Sequence, residues 1–334
     1  MGIRSAPLGD LAELEEHFPQ LTECNLPELG SLNGHAVSII MRDLVKRAMA
    51  IIVNNMFTAT PIAKAGYVEG TEDVYTDGDK LAQKMYIKSL QECFPAAGII
   101  AEEGKRRFGN LSPDTRYFFT VDPLDGTKAY LRRQSHGIAT MIALFDAHLD
   151  KYLAAYIGDV MAQEIYGFRP GSSKVHRLMR NECKDTLSID PLRTLAEQWV
   201  LLRDLPESLR ERPSRWALSG FIDGERYSSN KRLFRGVSIA DGSIGTMFAR
   251  LWKGEVGAIM LPTGPQTPWD ICPCIAISEQ LGFRFLRWSS GYGTAPLQNG
   301  IPREVVRTNY EVLVVHHTRL AELEGHMSTF TLLE

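Results

Sequence analysis

The chain has 334 residues, 44% of them hydrophobic and 23% charged, with 37 Lys and Arg against 40 Asp and Glu and a net charge of -3. That composition is ordinary for a folded protein with a substantial core, and it excludes intrinsic disorder, collagen-like repeats and coiled coil. It also supplies no overall positive field for a nucleic-acid polymer. No apolar run approaches the roughly 18 residues of a membrane span. The N-terminus (MGIRSAPLGDLAELEE) lacks the apolar centre of a signal peptide. The five cysteines, Cys24, Cys93, Cys183, Cys272 and Cys274, have no regular spacing, which argues against a disulfide framework. A cytoplasmic, non-membrane protein is expected.

Residues 1–34 are rich in turn formers and read as an irregular extension. Val37, Ile40, Met41, Leu44, Val45, Ala48, Ile51, Ile52 and Met56 recur at helical spacing and predict a long amphipathic helix over 36–57. A Gly- and acid-rich loop (GYVEGTEDVYTDGD) follows. A helix from near Asp79 then turns Leu81, Met85, Leu90 and Phe94 toward a core, limited by Pro95. Strands are predicted at Gly98–Ala101, running into Glu102, and at Tyr117–Val121, running into Asp122, with further strands at 138–145, 152–158 and 163–168. The charged stretch 172–238 shows no clear pattern, apart from a surface loop near Arg210 to Arg215. Beyond it the pattern predicts helices at 243–252 and 269–281 and strands at 256–261, 283–287 and 311–316. Residues 35–180 thus form an N-terminal α+β half and 181–334 a C-terminal α/β half, with a site where the two meet. Cys272-Pro-Cys274 reads as buried small residues in a helix.

Four acidic positions sit at or near element ends: Asp79, Glu102, Asp122 and Asp270. Strand ends and helix N-termini are where layered α/β structures place ligands and anions. The sharpest segment is Val121-Asp-Pro-Leu-Asp-Gly-Thr-Lys128. Pro123 forces Asp122 toward an extended backbone, and Gly126 permits a tight turn whose amides, with that of Thr127, make an anion cradle. Asp122, Asp125, the Leu124 carbonyl and the Thr127 hydroxyl form an oxygen-only donor set, which selects Mg²⁺ or Mn²⁺ over Zn²⁺. Taken singly, Asp122 and Asp125 read as turn formers or an N-cap as readily as ligands, and Asp79, Glu102-Glu103 and Asp270 read first as caps or a solvated edge; the metal-site reading comes from all of them together. Aspartyl-phosphate chemistry of the D-x-D-G-T type is excluded, because its nucleophile position is Pro123.

Together these residues resemble the inositol monophosphatase superfamily, which includes bisphosphate nucleotidases and fructose-1,6-bisphosphatases. The D-P-L-D-G-T loop resembles its most specific signature. Ile-Ala-Glu102-Glu-Gly resembles its G-E-E segment, Thr76-Asp-Gly-Asp79 its T-x-x-D, Trp269-Asp270 its W-D motif and Gly242-Ser243 its phosphate-side G-S. The resemblance implies an αβαβα sandwich and a Li⁺-sensitive, Mg²⁺-dependent phosphomonoesterase using two or three ions, assembled as a homodimer. It implies that Glu102, Asp122 and the Leu124 carbonyl hold one ion, that Asp122, Asp125 and Asp270 hold a second, and that Asp79 with Glu102 orients water around a third. Thr127, Asp79 and Glu102 would be catalytic, and Gly126, Thr127, Lys128, Gly242, Ser243 and Thr263 would face the substrate. Two positions depart from inositol monophosphatases: Val68 and Thr263 stand where those enzymes carry Lys and Glu. Lys128 and Gly264-Pro265 look more like 3'-phosphoadenosine-5'-phosphate phosphatases. The implied substrate is a small phosphomonoester, with inositol monophosphate as the default. A bisphosphate nucleotidase or sugar bisphosphatase is the alternative, and a catalytically lapsed binding protein of the same fold is the non-enzymatic one. His136 reads as a strand-end packing residue and His316-His317 as chance neighbours, while Lys105-Arg-Arg107 and Arg132-Arg133 read as solvated faces or as the rim of the site.

Overall fold

The computed structural model describes residues 29, 33–66, 72–180, 183–203, 233–288, 295–296 and 302–327. Val68, residues 210–215 and most of the N-terminal extension lie outside them. Helix α1 (Gly34–Asn55) is capped by Asn33, whose side chain accepts from the Ala36 amide at 2.9 Å. It buries Val37, Met41, Leu44, Val45, Ala48 and Ile52, as the spacing predicts. The expected loop after it contains a hairpin strand instead: β1 (Ile62–Ala65) pairs antiparallel with β2 (Glu72–Tyr75). These strands are four residues long and mixed in polarity, too short for a period-2 signal. Helix α2 (Asp77–Cys93) begins two residues earlier than predicted, because Thr76 is its N-cap. Leu81 is 47% exposed rather than facing the core; Ala82, Tyr86 and Leu90, four residues apart, form the buried stripe.

The first sheet comprises β3 (Gly98–Ala101), β4 (Arg107–Gly109), β5 (Tyr117–Asp125), β6 (Ala139–Asp146), β7 (Lys151–Asp159), β8 (Glu164–Phe168), β9 (His176–Leu178) and β10 (Lys184–Thr186). Among the described residues its order is β10-β9-β8-β7-β6-β5-β3-β4, antiparallel except for the β3–β5 pair. A short helix, α3 (Thr127–Leu131), leaves the end of β5. This sheet runs on to Thr186, past the expected division at residue 180.

The second half contributes β11 (Trp199–Leu202), β12 (Gly236–Ile239), α4 (Ile244–Trp252), β13 (Ala258–Leu261), β14 (Gly264–Gln266), α5 (Pro268–Gln280), β15 (Phe283–Trp288), β16 (Ala295–Pro296), β17 (Val306–Thr308), β18 (Glu311–His316) and α6 (Leu320–Met327). Its sheet has the order β12-β11-β13-β18-β15-β16, and β14 pairs with β17 apart from it. Part of the unplaced 172–238 stretch is therefore β9 to β12.

Alternation along the strands sorts the core into layers. Tyr117, Phe119, Val121, Ile142 and Leu144 face α1 and α2. Met141 and Ala143 point the other way, into a core with Phe248 and Trp252 of α4, Ile271 and Ile277 of α5, and Ile259, Val312 and Val314 of the second sheet. Met260, Leu313 and Val315 face the outside of that sheet and meet Leu323 of α6. The result is the expected αβαβα sandwich, with α4 and α5 as the shared middle layer. Among the described residues, no helix is long and apolar enough to cross a membrane.

Two histidine expectations separate here. His136 is exposed rather than packed at a strand end. The His316 and His317 rings bond the Leu281 and Gly282 carbonyls, a structural role at the end of α5.

Trp252 joins the layers: it is fully buried, donates to the Ser278 hydroxyl at 2.9 Å and lies 6.0 Å from the Tyr166 ring. Trp252→Ala is expected to destabilise the protein by about 3–5 kcal/mol, seen as a lower denaturation midpoint in urea. A loss below about 1 kcal/mol would contradict a close-packed middle layer.

Candidate metal and phosphate site

The site begins with an irregularity in β5. Residues three apart on a regular strand face opposite sides. Here Asp122 lies opposite Met141 and Asp125 opposite Ala139, so the register slips between them. The Asp122 carboxylate bends back to accept from the Leu124 amide at 3.0 Å. Both acids therefore reach one pocket. Asp270 arrives from the first turn of α5, which Pro268 opens at N1. One carboxylate oxygen from each of Asp122, Asp125 and Asp270 lies within 4.8 Å of the others. This is the set that the resemblance assigns to one ion.

The cluster repels itself. Burial first, and then Glu102, Asp270 and Asp125, push Asp122 well above the ordinary carboxylate range. Burial and Asp270 push Asp125 to about 6, although Arg203 and two hydrogen bonds draw it down. Burial pushes Glu102 to about 8 against the pull of Lys64. Hard oxygen donors gathered under mutual repulsion fit a hard divalent cation, which would relieve all three.

Two supports hold the cluster from either side. Ser243, the N-cap of α4, donates its hydroxyl to Asp125 Oδ2 at 2.5 Å, and the Gly245 amide donates to the same oxygen at 2.7 Å. The Ser243 amide donates to the Gly137 carbonyl at 2.9 Å. Both Ser243 donors are thus engaged inside the protein. Through its hydroxyl, Ser243 orients the Asp125 carboxylate. On the other side, Lys64 of β1 reaches Glu102 at 2.8 Å and Glu103 at 2.5 Å. Burial alone would lower the Lys64 ammonium, but these carboxylates hold it well above its ordinary value. Gln83 exchanges two hydrogen bonds with the Glu103 backbone and fixes that turn. The sequence carried no local signal for Lys64, whose partners lie 38 and 39 residues away.

Asp79 is 0% exposed at the start of α2. The Thr76 amide and hydroxyl donate to its Oδ2 at 2.7 and 2.6 Å, which leaves Oδ1 to face the Thr127 hydroxyl at 3.3 Å. Burial pushes its pKa to about 6, against the Thr76 bonds. The Thr127 hydroxyl also lies 3.3 Å from the Leu124 carbonyl. The Thr127 hydroxyl therefore lies within reach of both Asp79 and the Leu124 carbonyl.

The loops around them interlock. A Cβ at Gly126 would stand 2.2 Å from the Gly137 carbonyl oxygen, and one at Gly242 2.5 Å from the same atom; both glycines have positive φ. Between Gly242 and β12, Asp241 holds φ 52, a left-handed backbone that non-glycine residues seldom adopt. Arg132 grips its carboxylate at 3.1 and 3.2 Å and Gln134 at 2.9 Å, while Arg203 donates to the Gly242 carbonyl at 3.2 Å. Arg132 is therefore a clasp between the segment after α3 and the Gly242 loop. Arg106 lies over the Trp269 ring at 5.4 Å, and Arg107 bonds Glu304 at 2.9 Å. Lys128 and Thr263 are exposed, with no side-chain hydrogen bond or ion pair among the described residues. Cys272 and Cys274 are buried in α5, as predicted.

Fold and site together define a layered phosphatase-type architecture with a carboxylate centre at the junction of its halves. The chain belongs to the inositol monophosphatase family, whose model matches residues 35–324. It is 24% identical over 249 residues to the inositol-1-monophosphatase of Bacillus subtilis, covering 74% of this chain and 84% of that one. It is 39% identical over 64 residues to the Nus factor SuhB of Xylella fastidiosa, covering 19% of this chain and 22% of that one. The match to the Salmonella typhimurium SuhB likewise spans only 46% of that protein. Among solved structures, the SuhB protein of Bartonella henselae superposes with a TM-score of 0.64 at 17% identity, over 89% of this chain and all of that one. An IMPase/NADP phosphatase complexed with Mg²⁺ and phosphate superposes with a TM-score of 0.60 at 16% identity, over 90% and 96%.

The raised carboxylates set the pH dependence of the metal-free protein. An acid with a raised folded-state pKa binds more protons folded than unfolded, so its stabilising effect is lost as pH rises through the folded value. Melting in EDTA is expected to fall between about pH 5 and pH 8, the window of Asp125 and Glu102. Each 1 kcal/mol lowers Tm by roughly 2 °C at this chain length. Mg²⁺ at 100 times its Kd should restore about 2.7 kcal/mol at pH 8. A flat profile without metal would refute the repulsion. For the clasp, Asp241→Ala is expected to raise KM several-fold, and Asp241→Asn, which keeps an acceptor and tolerates the left-handed backbone, to recover most of it. Steady-state kinetics of both variants checks this.

Proposed function

We propose that the chain is a Mg²⁺-dependent phosphomonoester hydrolase that releases inorganic phosphate by direct attack of water. The observation that carries this reading is the Thr127–Asp79 pair beside the three-carboxylate cluster. Asp122, Asp125, Asp270, Glu102 and the Leu124 carbonyl would hold the ions, with Mn²⁺ as a substitute. Bound ions supply charge neutralisation for an anionic ester and lower the pKa of water.

The side chains divide the remaining work. With Oδ2 held by Thr76, Asp79 Oδ1 accepts the Thr127 proton, so the Thr127 oxygen turns a lone pair outward. A water that donates to this oxygen is oriented for attack and can pass its proton toward Asp79, whose pKa near 6 suits a base at neutral pH. Ser243 and Gly245 fix Asp125 Oδ2 and so set the orientation of that carboxylate. The tight turn at Gly126 lets an ester approach the backbone. With Pro123 in place of a nucleophilic Asp, no phosphoenzyme forms.

The substrate we favour is a small anionic phosphomonoester, inositol monophosphate first. Support comes from the family match and from the relative named inositol-1-monophosphatase. The binding-protein alternative is disfavoured by retention of the cluster together with Thr127. Purified protein is expected to release phosphate from inositol 1-phosphate only with Mg²⁺ or Mn²⁺, and Li⁺ should inhibit. Asp122→Asn and Glu102→Gln should each lower kcat by on the order of 10³ or more with unchanged circular dichroism. Undiminished release by either variant overturns the assignment. Absence of calorimetric Mg²⁺ binding would favour the lapsed binding protein.

A further inference from the structure

Asp122 and Asp125 reach one pocket because two residues of β5, Pro123 and Leu124, stand opposite a single residue of β6. Asp122 lies opposite Met141 and Asp125 opposite Ala139, so that single residue is Thr140. A bulge of this kind re-aims the side chains of its strand and locally disrupts the ladder. Pro123 has no N–H to add to the pairing. Bonds from outside the ladder therefore have to fix the shape of the bulge.

Thr140 supplies one of them. It is fully buried, and its hydroxyl donates to the Asp122 main-chain carbonyl at 3.2 Å. Tyr86 of α2, also fully buried, brings its hydroxyl to 3.0 Å from the Thr140 oxygen. A carbonyl only accepts, so the one hydroxyl hydrogen of Thr140 goes to Asp122 and Tyr86 donates to Thr140. Burial pushes the Tyr86 phenol up against the pull of the Thr140 bond, with Asp122 adding to the rise, so the phenol keeps the proton it donates. The rest of this stripe of α2, Ala82 and Leu90, is apolar. Phenylalanine would fill the same space, and a buried hydroxyl costs free energy unless it is bonded. The bond that the Tyr86 hydroxyl makes leads to the bulge.

Helix α2 meets the loop at its other end as well. Asp79 precedes Tyr86 by seven residues on the same face, about 10 Å away along the axis, and its Oδ1 faces the Thr127 hydroxyl at 3.3 Å. Asp122 is in turn held at two groups: Thr140 bonds its carbonyl, and the Leu124 amide bonds its carboxylate at 3.0 Å.

We propose that Tyr86 and Thr140 are positioning residues of the metal site, whose hydroxyl chain sets the β5 bulge and thereby places the Asp122 carboxylate and the Leu124 carbonyl relative to Asp125. The inference rests on the metal-site reading and gives α2 a part in cation affinity besides carrying Asp79. Neither hydroxyl touches the ion or the ester.

The test is a calorimetric Mg²⁺ titration of wild type, Tyr86→Phe, Thr140→Val and Thr140→Ser. The first two variants keep the shape of the core and lose the hydroxyl. Thr140→Val is expected to weaken Mg²⁺ binding by about tenfold and Tyr86→Phe by about threefold. Thr140→Ser, which keeps the chain, should stay within about twofold of wild type. The Mg²⁺ concentration for half-maximal turnover of inositol 1-phosphate should rise by the same factors, with KM at saturating Mg²⁺ within about twofold. Leu90→Val, a packing change further along the stripe, should lower the melting temperature and leave the Mg²⁺ Kd unchanged. Wild-type affinity in Thr140→Val, no recovery in Thr140→Ser, or an equal loss in Leu90→Val overturns the positioning role. If wild type binds Mg²⁺ but hydrolyses no phosphomonoester, the phosphatase reading fails by itself, and the calorimetric series sustains or overturns the positioning role as before. No Mg²⁺ binding by wild type overturns both.

Discussion

The rest of the structure depends on keeping several carboxylates close together and away from water. Two like charges 4 Å apart repel by about 4 kcal/mol at an effective dielectric of 20. Asp122, Asp125 and Asp270 meet at about that distance, with Glu102 among the charges that raise Asp122. No single element could hold such a set against its own repulsion. Asp122 and Asp125 come from the last turn of register in β5, Asp270 from the start of α5 and Glu102 from the end of β3. The packing energy that holds these elements lies in cores remote from the charges. The middle layer matters most, because α5 rests on β5, β6 and β7 on one side and on β15 on the other. Moving Asp270 away from the cluster would mean opening that layer.

The same constraint explains the hydrogen bonds around the cluster. Ser243 Oγ and the Gly245 amide occupy one oxygen of Asp125, and Lys64 occupies Glu102. Each bond lowers the cost of ionisation and fixes which oxygen remains for a cation. The Gly242 loop that supplies Ser243 is locked in turn through Gly137 and the Asp241 clasp. Orientation of a carboxylate in one half therefore depends on a backbone contact made by the other. The halves are tied together at the cluster even though their sheets are separate.

The sequence made the charged ends legible and the supports illegible, for a physical reason. Asp122, Asp125 and Thr127 fall within six residues, and Pro123 and Gly126 restrict the backbone between them, so local chemistry implied a site. Helices α1, α4 and α5 and strands β5 to β8 were legible because long apolar patterns specify them. Lys64 was not, because β1 and β2 are too short to show a period and its partners are set by tertiary packing. The Arg132–Asp241 clasp spans 109 positions and was equally hidden. Strands β9 and β10 were missed because three-residue edge strands, with β10 fully exposed, carry no alternation. Leu81 shows the opposite error: apolar identity alone suggested burial, but the stripe that packs is Ala82, Tyr86 and Leu90.

Chemistry and specificity are consequently coupled to the fold with different strength. The carboxylates and Thr127 sit where a change of backbone would open a core, so they are fixed by the same packing that stabilises the protein. Lys128 and Thr263 are exposed, and the lysines of α2 lie on its outer face. Substitution there removes no buried contact, and exposed positions of this kind usually change stability by about 0.5 kcal/mol or less. Such positions can alter which anion is held without disturbing how the phosphate is cleaved. Thr263 presents an uncharged hydroxyl that can both donate and accept.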